Sequence, residues 1–167
     1  MTVLLGALPL SLLAPLSSAQ AAPSVGIDCV AIYAPAGAKL PGQPQELHLK
    51  NYGCGQEADR LNSARAARVM IKMWEHRDYT GASVELKAEG AEARCDGDGY
   101  RWSSFPDGWN DWVSSFRTYQ SCTYVRLYEH VETSGNCKAF YDDQSYVGDD
   151  WNDKASSLRA QSVSRNC

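Results

Sequence analysis

A four-residue alternating pattern ending in an aromatic occurs three times in this chain, at Val30-Ala-Ile-Tyr33, Ile71-Lys-Met-Trp74 and Val125-Arg-Leu-Tyr128. Alternation with a period of two is the mark of a half-buried strand, so Ala31, Lys72 and Arg126 are expected to face water while their neighbours face a core. Downstream of each strand stands a polar block: Ala58-Asp-Arg-Leu-Asn-Ser63, Asn110-Asp-Trp-Val-Ser-Ser115 and Asn152-Asp-Lys-Ala-Ser-Ser157, each followed two residues later by an arginine, Arg65, Arg117 or Arg159. Short strands, turn-forming residues between them and no sustained helical periodicity after Ala21 predict an antiparallel all-β fold. The best helical candidate, Glu57 to Met70, overlaps the first block and reads as a turn, a one-turn helix and a strand.

The repeats are not equal. The middle copy is about a dozen residues longer between its aromatic and its arginine, and the excess falls in Ala88 to Gly99, a stretch of Ala, Gly and Asp that reads as an inserted loop. The last two copies match most closely: Trp74-Glu-His-Arg-Asp-Tyr-Thr-Gly81 parallels Tyr128-Glu-His-Val-Glu-Thr-Ser-Gly135. The first copy, with Ala-Pro-Ala-Gly after Tyr33, lacks the Glu-His pair and is degenerate.

The segment Met1 to Ala21 is apolar, is interrupted by Pro9 and Pro15 and ends in Ala19-Gln-Ala21, the small-residue pattern of a secretory cleavage site, although no basic residue precedes Lys39. An exported chain meets an oxidising compartment, so the six cysteines are expected to form up to three disulfides, whose connectivity the sequence leaves open. No C-x-x-C pair favours zinc. A net charge of −4 with interspersed signs gives no basic footprint for nucleic acid or an anionic membrane. Catalytic motifs are lacking too: there is no G-x-S-x-G, no H-E-x-x-H and no phosphate-binding glycine loop, and the chain is expected not to be an enzyme. His76 and His130, at matching repeat positions, read as structural residues more readily than as metal ligands. The acid pairs Asp142-Asp143 and Asp149-Asp150 read as solvated turns.

The spacing of Trp74, Tyr79 and Gly81, with the blocks Asn110 to Ser115 and Asn152 to Ser157, resembles the microbial βγ-crystallin motif, an aromatic and glycine at a folded hairpin followed by Asp/Asn-Asp/Asn-x-x-Ser/Thr-Ser. Thr133 stands where that family has an aromatic. The resemblance covers Ala66 to Gln161 well and Cys29 to Arg65 loosely. It implies a Greek-key βγ-crystallin-like sandwich, disulfide-stapled, with a signal peptide over 1–21, a degenerate N-terminal Greek-key motif over 22–66 and a two-motif domain over 67–167. It extends to secreted microbial peptidase inhibitors of crystallin-like fold. On that alternative the Ala88 to Gly99 loop around Cys95 would enter the cleft of an extracellular protease.

Calcium takes six to eight oxygen ligands in flexible geometry, and both later blocks offer amide, carboxylate, hydroxyl and carbonyl oxygens. The resemblance implies two calcium ions cross-clamped by two neighbouring loops. Side-chain oxygens of Asp111, Ser114, Asp153 and Ser156 would serve, flanked by Asn110 and Asn152, with backbone carbonyls of Glu75 and Glu129. The first copy keeps Asp59 but has Ala58 and Asn62 at its first and fifth positions, and no full site is expected there. With few carboxylates per ion, affinity is expected on the order of 10⁻⁵ to 10⁻³ M.

Overall fold

The computed structural model describes residues 26–63, 66–90 and 92–167; the expected leader peptide and Arg65 lie outside them. The elements are β1 (Asp28–Pro35), β2 (Gln45–Cys54), α1 (Gln56–Ser63), β3 (Ala67–His76), β4 (Thr80–Glu89), β5 (Tyr100–Trp102), β6 (Ser115–Thr118), β7 (Tyr124–His130), β8 (Ser134–Tyr141) and β9 (Ser157–Gln161). They hydrogen-bond in the order β6-β3-β4-β1-β2-β5-β9-β7-β8, one curled sheet folded over a shared core. The expected all-β architecture is present, and the helical candidate resolves into the eight-residue α1 and the start of β3.

The two closely matched repeats are interlocked. In each, a hairpin (β3–β4, β7–β8) is joined by a returning strand antiparallel to its first member, β6 beside β3 and β9 beside β7. The intervening segment crosses to the other repeat: β5 pairs with β9, and Gln144 bridges to Phe116 on β6. This Greek-key exchange supplies partners for backbone groups that β6 and β9 would otherwise leave open at a sheet edge. Further crossings are reciprocal, because Asp78 N–H donates to Ser145 O at 2.8 Å and Glu132 N–H to Ser103 O at 2.7 Å. Each repeat is therefore completed by the other.

The N-terminal hairpin sits in the middle of the sheet, between the strands of the two repeats. β1 runs parallel to β4, β2 runs parallel to β5, and the two pair antiparallel with each other, so the hairpin joins the β6-β3-β4 strands to the β5-β9-β7-β8 strands. Its position corrects one expectation: Ala31 is fully buried and does not face water. β1 is covered on both faces, with Cys29, Ala31 and Tyr33 in the main core and Val30 and Ile32 packed under Ala58 and Leu61 of α1. A central strand buried on both sides reads as a continuous apolar run, not as an alternation. Elsewhere the alternation holds: Ile71, Met73, Val125, Leu127 and Leu158 are buried, while Lys72 and Arg126 lie on the outer face.

All six cysteines pair in sequence order, Cys29–Cys54 across the β1–β2 hairpin, Cys95–Cys122 from the long loop to the β6–β7 turn, and Cys137–Cys167 from β8 to the last residue. β4 extends through Ala88 and Glu89, so the irregular part of the predicted insertion begins at Gly90. It lies against the body, with Ala93 and Cys95 buried. Among the described residues no helix is long and apolar enough to cross a membrane.

Candidate metal centre

The site is built on two identical hairpin bends. After β3 the chain enters the left-handed region at Asp78 and Tyr79 (φ 59° and 60°), and Gly81 follows at φ 81°. After β7 the same path recurs at Glu132, Thr133 and Gly135 (φ 57°, 49° and 76°). The residue opening each bend, His76 or His130, has the same backbone angles, φ −120° and ψ 163°. Glycine is required at the bend on two counts: L-residues avoid that φ, and an added Cβ would lie 2.8 Å from Cδ2 of His76 at Gly81, or of His130 at Gly135. The paired histidines are thus imidazole lids on the two glycines, in keeping with a structural role. Trp74 meets Tyr79 edge to face at 5.2 Å, and Arg117 stacks on Tyr79 at 4.2 Å. The second bend closes with Thr133 in the aromatic position, so the aromatic pair does not set the bend.

What holds each bend is the last serine of its block. Ser115 Oγ donates to His76 O at 2.6 Å and accepts from Tyr79 N–H at 3.2 Å; Ser157 Oγ donates to His130 O at 2.5 Å and accepts from Thr133 N–H at 3.1 Å. Both serines are fully buried. The sequence reading gave them no separate role, yet the Ser-Ser pair ending both later blocks is the signal that one hydroxyl is structural and the other free for the site.

The preceding serine turns to the candidate ion position. Ser114 Oγ donates to Glu75 O at 2.5 Å, and Ser156 Oγ to Glu129 O at 2.6 Å, so in each repeat a hydroxyl oxygen and a carbonyl oxygen stand side by side. The carboxylate comes from the opposite repeat. Asp111 Oδ1 accepts from Ser156 Oγ at 3.3 Å, and Asp111 shares an open cleft with Glu129 and His130. Asp153 and Asn152 line the equivalent cleft with Glu75, His76 and Ser114. The blocks cross because their backbones do: Asp111 N–H donates to Ala155 O at 3.0 Å, and Asp153 N–H to Val113 O at 3.4 Å. Both aspartates sit in the left-handed region, at φ 58° and 56°, which Asp tolerates better than most residues.

Every residue predicted for the site is at one or other cleft or supports it. Asn110 Nδ2 donates to Asp111 Oδ2 at 2.9 Å and Asn152 Nδ2 to Asp153 Oδ2 at 2.5 Å, so the asparagines orient the carboxylates. Trp109 and Trp151, just before the blocks, are in the core as expected. The first copy of the block is helical: Ala58 packs inward and Asn62 accepts from Lys87 Nζ at 2.5 Å, far from either cleft in function and in partners.

These donors are oxygens of three kinds, suited to a hard cation and unsuited to zinc or copper. Among the described residues no three His, Cys, Asp or Glu side chains converge on a metal position. A cation in these clefts must therefore draw on hydroxyl and carbonyl oxygens and on water, with a carboxylate from the facing block.

Comparison with solved structures finds similarity to domains from three microbial sources. A double mutant of a βγ-crystallin domain from Clostridium beijerinckii is 25% identical, covering 57% of this chain and all of that one, with a TM-score of 0.43. The chain is similar to microbial βγ-crystallins. A βγ-crystallin from an archaeon (20% identity, 57% of this chain, 98% of that one, TM-score 0.40) and a βγ-crystallin domain from Flavobacterium johnsoniae (24%, 58%, 99%, 0.40) align in the same way. No protein-family model and no curated protein matches the chain.

Proposed function

We propose that the chain is a secreted, non-enzymatic βγ-crystallin-type module that binds two calcium ions, one in each crossed cleft. The observation that supports this is the exchange of carboxylates: Ser156 and the Glu129 carbonyl meet Asp111 of the other block, while Ser114 and the Glu75 carbonyl share a cleft with Asp153. Plain Ser and Asx turns would satisfy their own backbone locally. Here the fifth residue of the last block meets the second residue of the middle block, and Ser114 lines a cleft with Asp153, which supports a reading in which each block lends oxygens to the other. An ion in either cleft would tie the two repeats together, so binding is coupled to the stability of the whole fold. Three disulfides suit an oxidising extracellular setting.

The peptidase-inhibitor alternative is less well supported. The described part of the 90–99 loop is braced by Cys95–Cys122, with Ala93 and Cys95 buried against the body between the exposed Glu92, Arg94 and Asp96. Calorimetric titration of the disulfide-intact chain tests the preferred reading, with two calcium ions per chain and dissociation constants on the order of 10⁻⁵ to 10⁻³ M expected. An absence of binding heat up to tens of millimolar calcium would remove it.

A further inference from the structure

Four arginines scattered through the sequence meet on the outward face of the β5-β9-β7 strands. Arg101 on β5 and Arg126 on β7 are both register partners of Arg159 on β9. Cross-strand partners have Cβ atoms about 4.5–5.5 Å apart, so the three side chains leave the sheet side by side. Their direction is fixed by their neighbours, since Trp102, Val125, Leu127, Leu158 and Ala160 all point into the core. Beyond β9 the chain returns over this face, held by Cys137–Cys167 and by Arg126 Nη1 donating to Asn166 O at 3.4 Å. It brings Arg165 into the group. Burial, then the charges of Arg159 and Arg165, outweigh the effect of Tyr128 and hold Arg126 below the ordinary arginine pKa.

Like charges directly opposite on a sheet are destabilising, and a buried guanidinium N–H without a partner costs more than a neutral one. The flanking members are neutralised: Arg101 by Glu46 at 3.0 Å and Glu132 at 2.6 Å, and Arg165 by Asp98 at 3.3 Å. Arg126 meets only neutral oxygens, those of Gln161 (3.0 Å) and Asn166. The side chain of Arg159, the central member, makes no ion pair or hydrogen bond with any described residue, and the Nε atoms of Arg101, Arg126 and Arg159 are all buried and unpartnered. One doubly charged, tetrahedral oxyanion would offset the uncompensated charge of Arg126 and Arg159, because guanidinium forks present parallel N–H groups to adjacent oxygens of such a group.

We infer that this face is an oxyanion site, in which a sulfate or phosphate group sits on Arg159 and Arg126 with Arg101 and Arg165 at its margins. The inference is independent of the calcium clefts. It also differs from a general basic surface, since the chain as a whole is acidic and the site is local.

The test is calorimetric titration of the disulfide-intact chain with inorganic sulfate and inorganic phosphate, against chloride at matched ionic strength. Saturable binding of sulfate or phosphate and none of chloride is expected. Arg159→Gln should weaken it at least tenfold while leaving the melting temperature in chloride unchanged or higher, because a repelling charge is gone; a purely structural arginine would lower that temperature. Arg126→Gln should also weaken binding, and it carries the test if Arg159→Gln does not fold. A short sulfated oligosaccharide binding more tightly than inorganic sulfate would show the group being taken on a polymer, and equal affinity would show it taken free. Equal titrations in wild type and both variants, or no saturable heat with any of these probes, would overturn the assignment.

Discussion

Replacing Asp111 with Asn gives the sharpest test of the crossed clefts. Asn keeps the volume, can still meet Asn110 and Ser156, and tolerates the φ of 58° that Ala would adopt only under strain, so the fold without calcium should be unchanged. What the substitution removes is the negative charge shared with Ser156 and the Glu129 carbonyl. An interaction with a charged group contributes about 1.5–3 kcal/mol, which at about 1.4 kcal/mol per tenfold weakens one site by roughly 10- to 100-fold. With calcium at a hundredfold over the wild-type dissociation constant, mass action stabilises by about 2.7 kcal/mol per site. In the variant the Asp111 site would retain only about 0.4–1.4 kcal/mol at that concentration. At roughly 2–4 °C per kcal/mol for a chain of this size, the calcium-induced rise in melting temperature should shrink by about 3–9 °C.

The assay is a pair of thermal melts, in chelator and in calcium, with calorimetry to count sites. Titration of the variant should show one tight and one weakened ion, because Asp153 still serves the cleft of Ser114 and Glu75. Asp111→Asn with Asp153→Asn should lose both. A calcium response in the single variant equal to wild type would refute the reasoning, as would loss of both sites at once without unfolding.

Three other outcomes follow from the same geometry. Ser115→Ala should cost about 1–3 kcal/mol in chelator, seen as a lower melting temperature, because the part-buried His76 carbonyl and Tyr79 N–H lose their common partner. Thr133→Asn should stabilise by up to about 1 kcal/mol in denaturant unfolding, since a β-branched residue at φ 49° is strained and Asn is not. Burial raises the Asp96 carboxyl, but the Lys39 ammonium and the N–H groups of Gly99 and Asp98 outweigh it and hold the pKa below the ordinary value. A depressed folded-state pKa contributes stability above the ordinary carboxylate range near pH 4, lost as pH falls through the lowered value. Asp96→Asn should therefore be less stable than wild type at neutral pH and converge with it in acid, by a small margin because the side chain is 61% exposed.

The interlocked repeats were legible because each hairpin bend needs a glycine, a positive φ and a hydroxyl clip, and such local demands leave a fixed spacing in the chain. The crossing of the two aspartates was prepared in the same way: Asp111 and Asp153, the proposed carboxylate ligands, occupy one offset in two copies of one unit. The face of β1 toward α1 was not, since burial on that side depends on where a helix from another segment comes to rest, and Val30-Ala-Ile-Tyr33 reads as alternation until Leu61 and Ala58 cover it. The arginine group was still less visible. Arg101, Arg126, Arg159 and Arg165 share no motif, and only the exchange of β5 onto β9 brings Arg101 beside Arg159. Repeat spacing thus exposes what each unit does for itself, while strand exchange creates surfaces that belong to neither unit. The clefts lie at the meeting of the two effects: each half is written locally in a block, but the halves come together only because Asp111 N–H reaches Ala155 O and Asp153 N–H reaches Val113 O. A single repeat expressed alone should therefore have neither a complete calcium site nor a closed sheet edge.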